Sequence, residues 1–394
     1  MEPMQPVAWP GLPGKLTFWR RRILAIAVVA AIGAALWVAL ADGSVQREPL
    51  TGKPSPPAAK HRSAAAKLAD PQLAGQRLIT GFPGGNPPHR VERMIGQGKL
   101  AGVILFDQNL GTRRHARKLI RKLQAIKRPR HLRSPLLVMI DQEGGLVKRL
   151  PGPPDASAQE MGKRGKRYSR RQGAKTAANL KDVGVNVNLA PVLDVGRRDS
   201  AIRAEQRSFG AKPARVIDTA VPFAAAMQGH GVAATGKHFP GLGSAKQNTD
   251  VAVQKIRLSR SKLREIDEAP YGPFAKKDGD LVMLSTAVYT HFSHRPAIAT
   301  KSIATGELRR HVGFAGVSIT DALETPSVDH FGGPVPVGVD AAKAGSDLLL
   351  YTDDGDAAKA GQALQQGLRS GKLKRSRFER SVDRVLRLRA QLGG

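Results

Sequence analysis

The chain has 394 residues, of which 41% are hydrophobic, and this length and composition suit one large domain with extensions. It contains no cysteine, which excludes disulfide bonds, a thiolate nucleophile and cysteine-based metal sites. The formal net charge of +31 allows an anionic partner, but the basic residues are scattered and no nucleic-acid-binding signature accompanies them, so nucleic acid is not the expected partner.

The N-terminal 41 residues have the pattern of an export signal. A basic run, Arg20–Arg22, precedes an uncharged, mostly apolar segment from Ile23 to Ala41. A positive flank before an apolar run is typical of a signal peptide or a signal anchor. The run is also about as long as a membrane-spanning helix, roughly 17–25 residues, and residues 39–41 match a small-x-small cleavage site. We therefore predict export, with residues 1–41 either cleaved or retained as a membrane anchor and the catalytic part outside the cytoplasm.

Residues 42–67 are predicted to be a linker. The segment is rich in Pro, Ala, Ser and charged residues and lacks apolar periodicity. We expect the folded part to begin at Leu68 and to extend to Gly394.

Eight short apolar runs follow, each bounded by Gly, Pro or Asp. They are Arg77–Phe82, Gly102–Phe106, Leu136–Ile140, Val185–Leu189, Val232–His238, Leu281–Ser285, Val317–Asp321 and Asp347–Tyr351. Such runs are typical of strands buried on both faces. Segments with helical spacing lie between them, for example His115–Ile126 and Ser169–Asp182, and Ser376–Leu392 is predicted to be an outer helix. The alternation predicts an α/β fold, a (β/α)8 TIM-type barrel.

Polar side chains stand at or after several predicted strand ends. In order they are Asp141 with the following Arg149, Asp194, Arg207, the pair Lys237 and His238, and Asp321. In a barrel these strand ends meet at one rim, where carboxylates and cationic donors suit a neutral polyhydroxylated ligand. Plain alternatives exist for two of them: Asp194 could only cap the next helix, and Arg207 could form an ordinary surface ion pair.

Several segments together resemble glycoside hydrolase family 3, in its single-barrel β-N-acetylhexosaminidase branch. They are GVILFDQN, IDQEGGLVKR, NLAPVLDV, RSFG and KHFPGLG, and VSITDAL resembles the family's nucleophile strand. The similarity covers nearly all of the predicted folded region, and KHFPG with its glycine-rich loop is the most specific motif.

This resemblance implies a retaining glycosidase with Asp321 as nucleophile. A retaining enzyme needs a second, proton-donating group about 5–5.5 Å from the attacking carboxylate. The resemblance also implies that Asp141, Arg149, Arg207, Lys237 and His238 bind the non-reducing sugar. Two positions depart from the family pattern: Ala322 replaces an acid after the nucleophile, and Leu146 replaces an arginine. The sequence contains no metal or nucleotide motif, and neither a metal nor a cofactor is expected.

The loop after KHFPG departs most from the family, which there commonly has GHGDxxxDSH with a catalytic His–Asp pair. In this chain Asn248 stands at the position of the pair's aspartate and Asp250 at that of its histidine. Three outcomes are open. Asp250 could act as the acid/base if burial or the charge of Asp321 raises its pKa; the protein could bind sugar with weak or no hydrolysis; or His291 or His294 could supply the proton.

We therefore expect an exported exo-β-glycosidase acting on amino-sugar glycans of the cell wall or envelope, or a glycan-binding protein on the same barrel. A third reading, from the net charge, is a basic protein held by anionic envelope polymers. The membrane would be a partner only through an uncleaved N-terminal segment.

Overall fold

The computed structural model describes residues 63–393. The predicted export segment and most of the predicted linker lie outside the described residues. Within 63–393, no helix is both long enough and apolar enough to cross a lipid bilayer.

Eight parallel strands form one sheet. They are β1 (Leu78–Thr80), β2 (Gly102–Ile104), β3 (Leu137–Ile140), β4 (Val187–Asn188), β5 (Ala233–Phe239), β6 (Leu281–Leu284), β7 (Val317–Thr320) and β8 (Leu349–Tyr351). Strand β1 pairs with both β2 and β8, and the bridge between Ile319 and Leu348 joins β7 to β8. The sheet therefore closes on itself, and the predicted (β/α)8 barrel with its eight strands is confirmed.

Helices surround the barrel. The α-helices are Asp70–Gly75, His89–Gly96, Asp107–Leu110, Arg113–Ala125, Ala158–Arg164, Lys166–Val183, Ala201–Ala204, Pro213–Gln228, Arg260–Lys262, Tyr271–Ala275, Pro326–Asp329, Pro334–Ala344, Asp354–Arg369 and Arg375–Gln391. The 3₁₀ turns are Ala65–Lys67, Arg130–Leu132 and Ala297–Ala299, and the π-helical segments are Leu263–Asp267 and Ser302–His311. Two short strand pairs lie outside the barrel sheet: Gln142–Gly144 with Val147–Lys148, and Lys255–Ile256 with Val288–Tyr289.

Local capping explains why two predicted helices differ from the observed ones by a few residues. Thr112 accepts a hydrogen bond from the amide of His115 and so begins the helix Arg113–Ala125 two residues early. The helix Lys166–Val183 ends where Gly184 adopts the left-handed conformation with φ of 92°.

The barrel interior is apolar and is closed at its N-terminal end by the last helix. Val385 and Leu388 of that helix join the cluster formed by inward side chains of the strands, among them Val317 of β7. The prediction that this helix packs its Val and Leu face on the barrel is confirmed. The same helix holds the start of the described chain, because the buried Ala65 donates its amide to Asp383 at 3.0 Å. Packed structure thus begins a few residues before the predicted start at Leu68.

Candidate active site

A cavity of about 350 Å³ opens at the C-terminal ends of the barrel strands. This volume lies in the range of small-molecule sites. All seven predicted site residues line it: Asp141, Arg149, Arg207, Lys237, His238, Asp250 and Asp321. The fold therefore brings these seven side chains together at one cavity, whereas Asp194, another acid at a predicted strand end, is not among the residues that line it.

Lys237 lies near the end of β5 and binds two carboxylates at once. Its Nζ atom lies 2.6 Å from Oδ1 of Asp141 and 2.7 Å from Oε1 of Glu143. Burial alone would lower the pKa of Lys237, but the charges of Asp141 and Glu143 outweigh it and raise that pKa. The ammonium group therefore stays charged, and its third N–H is free of these two partners.

Arg207 is buried and forms a two-point contact with Glu143. Its Nε and Nη2 atoms each lie 2.9 Å from a Glu143 oxygen, and Nη1 lies 3.1 Å from Glu205. Burial alone would raise the pKa of Glu143, but Arg207 and Lys237 hold it far below its usual range. The alternative of an ordinary surface pair for Arg207 is wrong, since only 9% of the residue is exposed.

Asp194 does not cap a helix but holds His238. Its Oδ2 atom accepts a hydrogen bond from Nδ1 of the imidazole at 2.7 Å. Its Oδ1 atom accepts from the amides of His238 at 3.2 Å and of Leu242 at 2.7 Å. Because a carboxylate can only accept here, we assign the ring hydrogen to Nδ1, and Nε2 remains for a ligand. Asp194 therefore fixes both the ring and the first turn of the following loop.

A tight hairpin after β3 places Arg149. Gly144 has φ of 98°, and a Cβ atom there would lie 2.2 Å from the Ala156 carbonyl oxygen, so the turn needs glycine. Gln142 then fastens the returning chain, because its side-chain oxygen accepts from the amides of Arg149 at 3.0 Å and of Leu150 at 2.9 Å. These contacts aim Arg149 at the cavity.

Asp321 directly follows β7. Its amide donates to the carbonyl of Leu284 in the neighbouring strand at 2.9 Å, which extends the sheet pairing to the carboxylate-bearing residue. One carboxylate oxygen accepts the amide of Ala322, also at 2.9 Å. The acid is therefore attached to a rigid strand end on the C-terminal face of the barrel, the face on which barrel enzymes carry their active sites.

Asp250 reaches the same cavity from the loop after β5. The side-chain oxygen of Asn248 accepts the backbone amide of Asp250 at 3.0 Å, so Asn248 orients the backbone of Asp250. Asp250 is an exposed residue, but the surrounding protein removes part of the hydration of its carboxyl group. This partial loss of water and the charge of Asp321 raise the pKa of Asp250 to about 6, against the opposing effect of His238 and Arg207. A carboxyl group in this state can both donate and accept a proton near neutral pH.

The two other candidate proton donors do not reach this place. His291 and His294 are exposed, and neither is among the described residues that line the cavity. Two buried acids hold residues of the cavity in place. Asp194 was predicted as a strand-end candidate with helix capping as the alternative, whereas Glu143 was not predicted as a site residue. Glu143 could have been predicted from its spacing. It stands two residues after Asp141, and residues two apart in a strand point to the same face.

A parallel barrel whose strand-end cavity is lined by carboxylates, arginines, a lysine and a histidine has the architecture of a TIM-barrel enzyme. The chain matches the model of the glycosyl hydrolase family 3 N-terminal domain over residues 66–388. It therefore belongs to glycoside hydrolase family 3 and is an O-glycosyl hydrolase.

Relatives agree with this assignment. The chain is 38% identical to an uncharacterized secreted glycosyl hydrolase of Arthroderma benhamiae, over 81% of this chain and 93% of that protein. It is 31% identical to a beta-hexosaminidase of Thioalkalivibrio sulfidiphilus, over 68% of this chain and 77% of that one. Among solved structures, a family 3 beta-N-acetylglucosaminidase from a Paenibacillus species superimposes with a TM-score of 0.78 at 29% identity, over 82% of this chain and 63% of that protein.

Proposed function

We propose that the protein is an exported, retaining exo-β-glycosidase that releases N-acetylhexosamine from cell-wall or envelope glycans. The observation that carries the proposal is that Asp250, with its raised pKa, and Asp321 face one cavity. The names of the hexosaminidase and N-acetylglucosaminidase relatives support the choice of sugar.

In the first step of the proposed mechanism, a carboxylate oxygen of Asp321 attacks the anomeric carbon. Asp250 gives its proton to the glycosidic oxygen, so the bond to the leaving alcohol breaks and a glycosyl ester of Asp321 forms. In the second step, Asp250 takes a proton from a water molecule that attacks the same carbon. The ester bond to Asp321 breaks, the sugar leaves, and Asp250 is protonated again.

The remaining residues would bind the non-reducing sugar. Lys237 offers its third N–H to a hydroxyl oxygen, and Asp141 accepts a hydroxyl hydrogen. Arg207 and Arg149 donate to hydroxyl oxygens, and His238 presents Nε2. The ion pairs with Glu143 and Asp141 keep these donors in place before the sugar arrives, which lowers the cost of ordering them.

A panel of aryl β-glycosides tests the proposal with wild type, Asp321→Ala and Asp250→Ala measured in parallel. We expect release from the N-acetylglucosaminide, loss of activity in Asp321→Ala, and partial recovery of Asp250→Ala with external azide. Azide can attack the glycosyl ester without a general base, so this recovery identifies the acid/base. Equal inactivity of wild type and both variants, with tight sugar binding in calorimetry, would instead support a glycan-binding protein.

The proposed acid/base also influences whether water or phosphate attacks the glycosyl ester in the second step. A carboxylate repels phosphate more than a neutral imidazole does, so Asp250 favours water as the attacking group. We expect hydrolysis at the same rate with and without phosphate. Faster turnover in phosphate, with a sugar 1-phosphate as product, would contradict this part of the proposal.

We also propose export, supported by the predicted signal at residues 1–41 and by the secreted relative. The net charge of +31 would hold the exported protein to anionic envelope polymers. Retention on such a polymer should weaken between low and high salt, because ionic contacts at a surface are screened. Retention that does not change with salt would argue against this partner.

A further inference from the structure

A second cluster of titratable side chains lies outside the active site, and it comes from both π-helical segments. Glu268 directly follows the segment Leu263–Asp267, whereas Glu307 and His311 lie in Ser302–His311. One ligand atom from each of these three side chains lies within 4.8 Å of the other two. Single π-helical turns are rare and occur often at functional sites.

Glu268 makes this cluster unusual. The residue is only 3% exposed, and neither of its carboxylate oxygens has a hydrogen-bond partner among the described residues. A buried carboxylate without a donor is costly and needs a compensating positive charge or a proton. The neighbouring Glu307 offers no positive charge, because it is itself an acid, and the nearby Arg264 is already paired with Glu307 through two contacts of 2.8 and 2.9 Å.

We propose that Glu268, Glu307 and His311 bind a divalent first-row transition-metal cation such as Zn²⁺. Two carboxylates and an imidazole are ligands that such ions accept, at about 2.0–2.2 Å. Ligand atoms on opposite sides of the ion are then at most about 4.4 Å apart, so the three side chains would move slightly closer together when the ion binds. The exposure of His311 also gives the ion a path from solvent.

Arg264 fits this assignment as a partner of a metal ligand. Carboxylates that bind metals are commonly held by a second hydrogen-bonding group, and Arg264 does this for Glu307. Without a cation or a proton on Glu268, the two carboxylates and this one guanidinium leave an uncompensated negative charge. A bound cation neutralises it.

A cation bound here would also stabilise the position of the glycine-rich loop of the active site. Asp267, next to Glu268, forms a two-point ion pair with Arg197 at 2.7 Å for each contact. The amide of Arg197 donates to the carbonyl of Gly243 in the glycine-rich loop at 3.0 Å. The proposed site therefore lies beside the contact that anchors this loop. It does not depend on the proposed glycosidase activity.

Calorimetric titration of the metal-free full-length protein with Zn²⁺ tests the site. We expect one equivalent to bind to wild type and to raise its melting temperature. Glu268→Gln and His311→Ala should each weaken binding by about tenfold or more, since each removes a ligand. His311 is exposed, so its variant should fold even if Glu268→Gln does not.

Two control variants separate this site from others. His89 is an exposed histidine beside a glutamate, Glu92, and His89→Ala should bind Zn²⁺ like wild type. Asp321→Asn should also bind it unchanged, since the active-site carboxylate is not a ligand. Zn²⁺ binding that survives both Glu268→Gln and His311→Ala would place the ion elsewhere and overturn the proposal. Absence of binding would overturn it too, and would mean that Glu268 shares a proton with Glu307.

Discussion

The carboxylate of Asp194 lies 2.7 Å from Nδ1 of His238, and both side chains are buried. This contact gives the imidazole a defined tautomer, with its hydrogen on Nδ1 and Nε2 directed to a ligand. It also joins His238 to the loop that carries Asp250, because Asp194 accepts the amide of Leu242 as well. One buried acid therefore holds both the proposed sugar-binding imidazole and the loop that carries the proposed acid/base.

Asp194→Asn should impair the enzyme without unfolding it. The amide oxygen can still accept the two backbone amides, but its NH₂ group faces Nδ1 and moves the ring hydrogen to Nε2. We expect kcat/KM to fall by about 10- to 100-fold, as for other residues that orient a functional histidine. A lower kcat/KM at an unchanged melting temperature would show this. A fall in kcat/KM that is accompanied by a lower melting temperature would mean that Asp194 has a structural role only.

Glu143→Gln should destabilise the protein at neutral pH. The carboxylate of Glu143 neutralises the charges of Lys237 and Arg207, and all three side chains are buried. Removing one partner of a buried ion pair costs about 3–5 kcal/mol of unfolding free energy. The pKa of Glu143 is lowered in the folded state, so the wild-type carboxylate contributes stability above its unfolded pKa and loses that contribution as pH falls toward the folded value. The difference between wild type and variant should therefore shrink in acid.

Urea unfolding of both proteins from pH 7 down to about pH 2, through and below the unfolded carboxyl pKa, measures this difference. Glu205→Gln is the matched control, because Glu205 contacts the same arginine but is 35% exposed. We expect that variant to lose less than about 1 kcal/mol, as for exposed ion pairs. Similar losses in the two variants would contradict the assignment of Glu143 as the central acid.

The strands could be predicted from the sequence because a strand buried on both faces is an almost uninterrupted apolar run. Each observed strand, such as Leu137–Ile140, falls inside or overlaps its predicted run. The rim residues followed from the strand ends, since the barrel brings all C-terminal ends together. Helix ends were less predictable because they depend on single caps, such as Thr112.

Partners of buried acids could not be predicted in this way. Asp194 and His238 are 44 residues apart in the chain, and only the folded barrel brings them into contact. The pKa of Asp250 depends likewise on the cavity walls and on Asp321, which lies on a different strand end. The sequence identified Asp250 and Asp321 as candidate acids, but the protonation state of Asp250 depends on how the site is packed.

The pH dependence of activity should report the state of Asp250. As a general acid it must be protonated in the first step, and its pKa of about 6 means that protonation is lost as pH rises through that value. We expect kcat/KM for a substrate with a poor leaving group to fall above about pH 6. The same profile for Asp250→Ala, measured with an activated aryl leaving group, should lack this basic limb.

The control for this profile is Asn248→Ala, which removes the hydrogen bond to the Asp250 backbone but leaves the carboxyl group in place. It should lower the rate and keep the basic limb. If the fall in kcat/KM at basic pH occurs at the same pH in wild type and in Asp250→Ala, another group gives the proton.

Leu146 should influence the choice of leaving group. It is 73% exposed and lines the cavity, and the other large exposed apolar side chain of the described residues is Val251, directly after Asp250. Leu146 lines the same cavity as the proposed proton donor, and we expect an apolar leaving group to pack against it. Loss of about 1 kcal/mol of apolar contact in Leu146→Ser should raise KM for an aryl glycoside about fivefold. Leu146→Met should keep the wild-type value, and KM for a substrate with a sugar leaving group should change little in either variant. An equal rise of KM for both substrates would instead place Leu146 on the side of the non-reducing sugar.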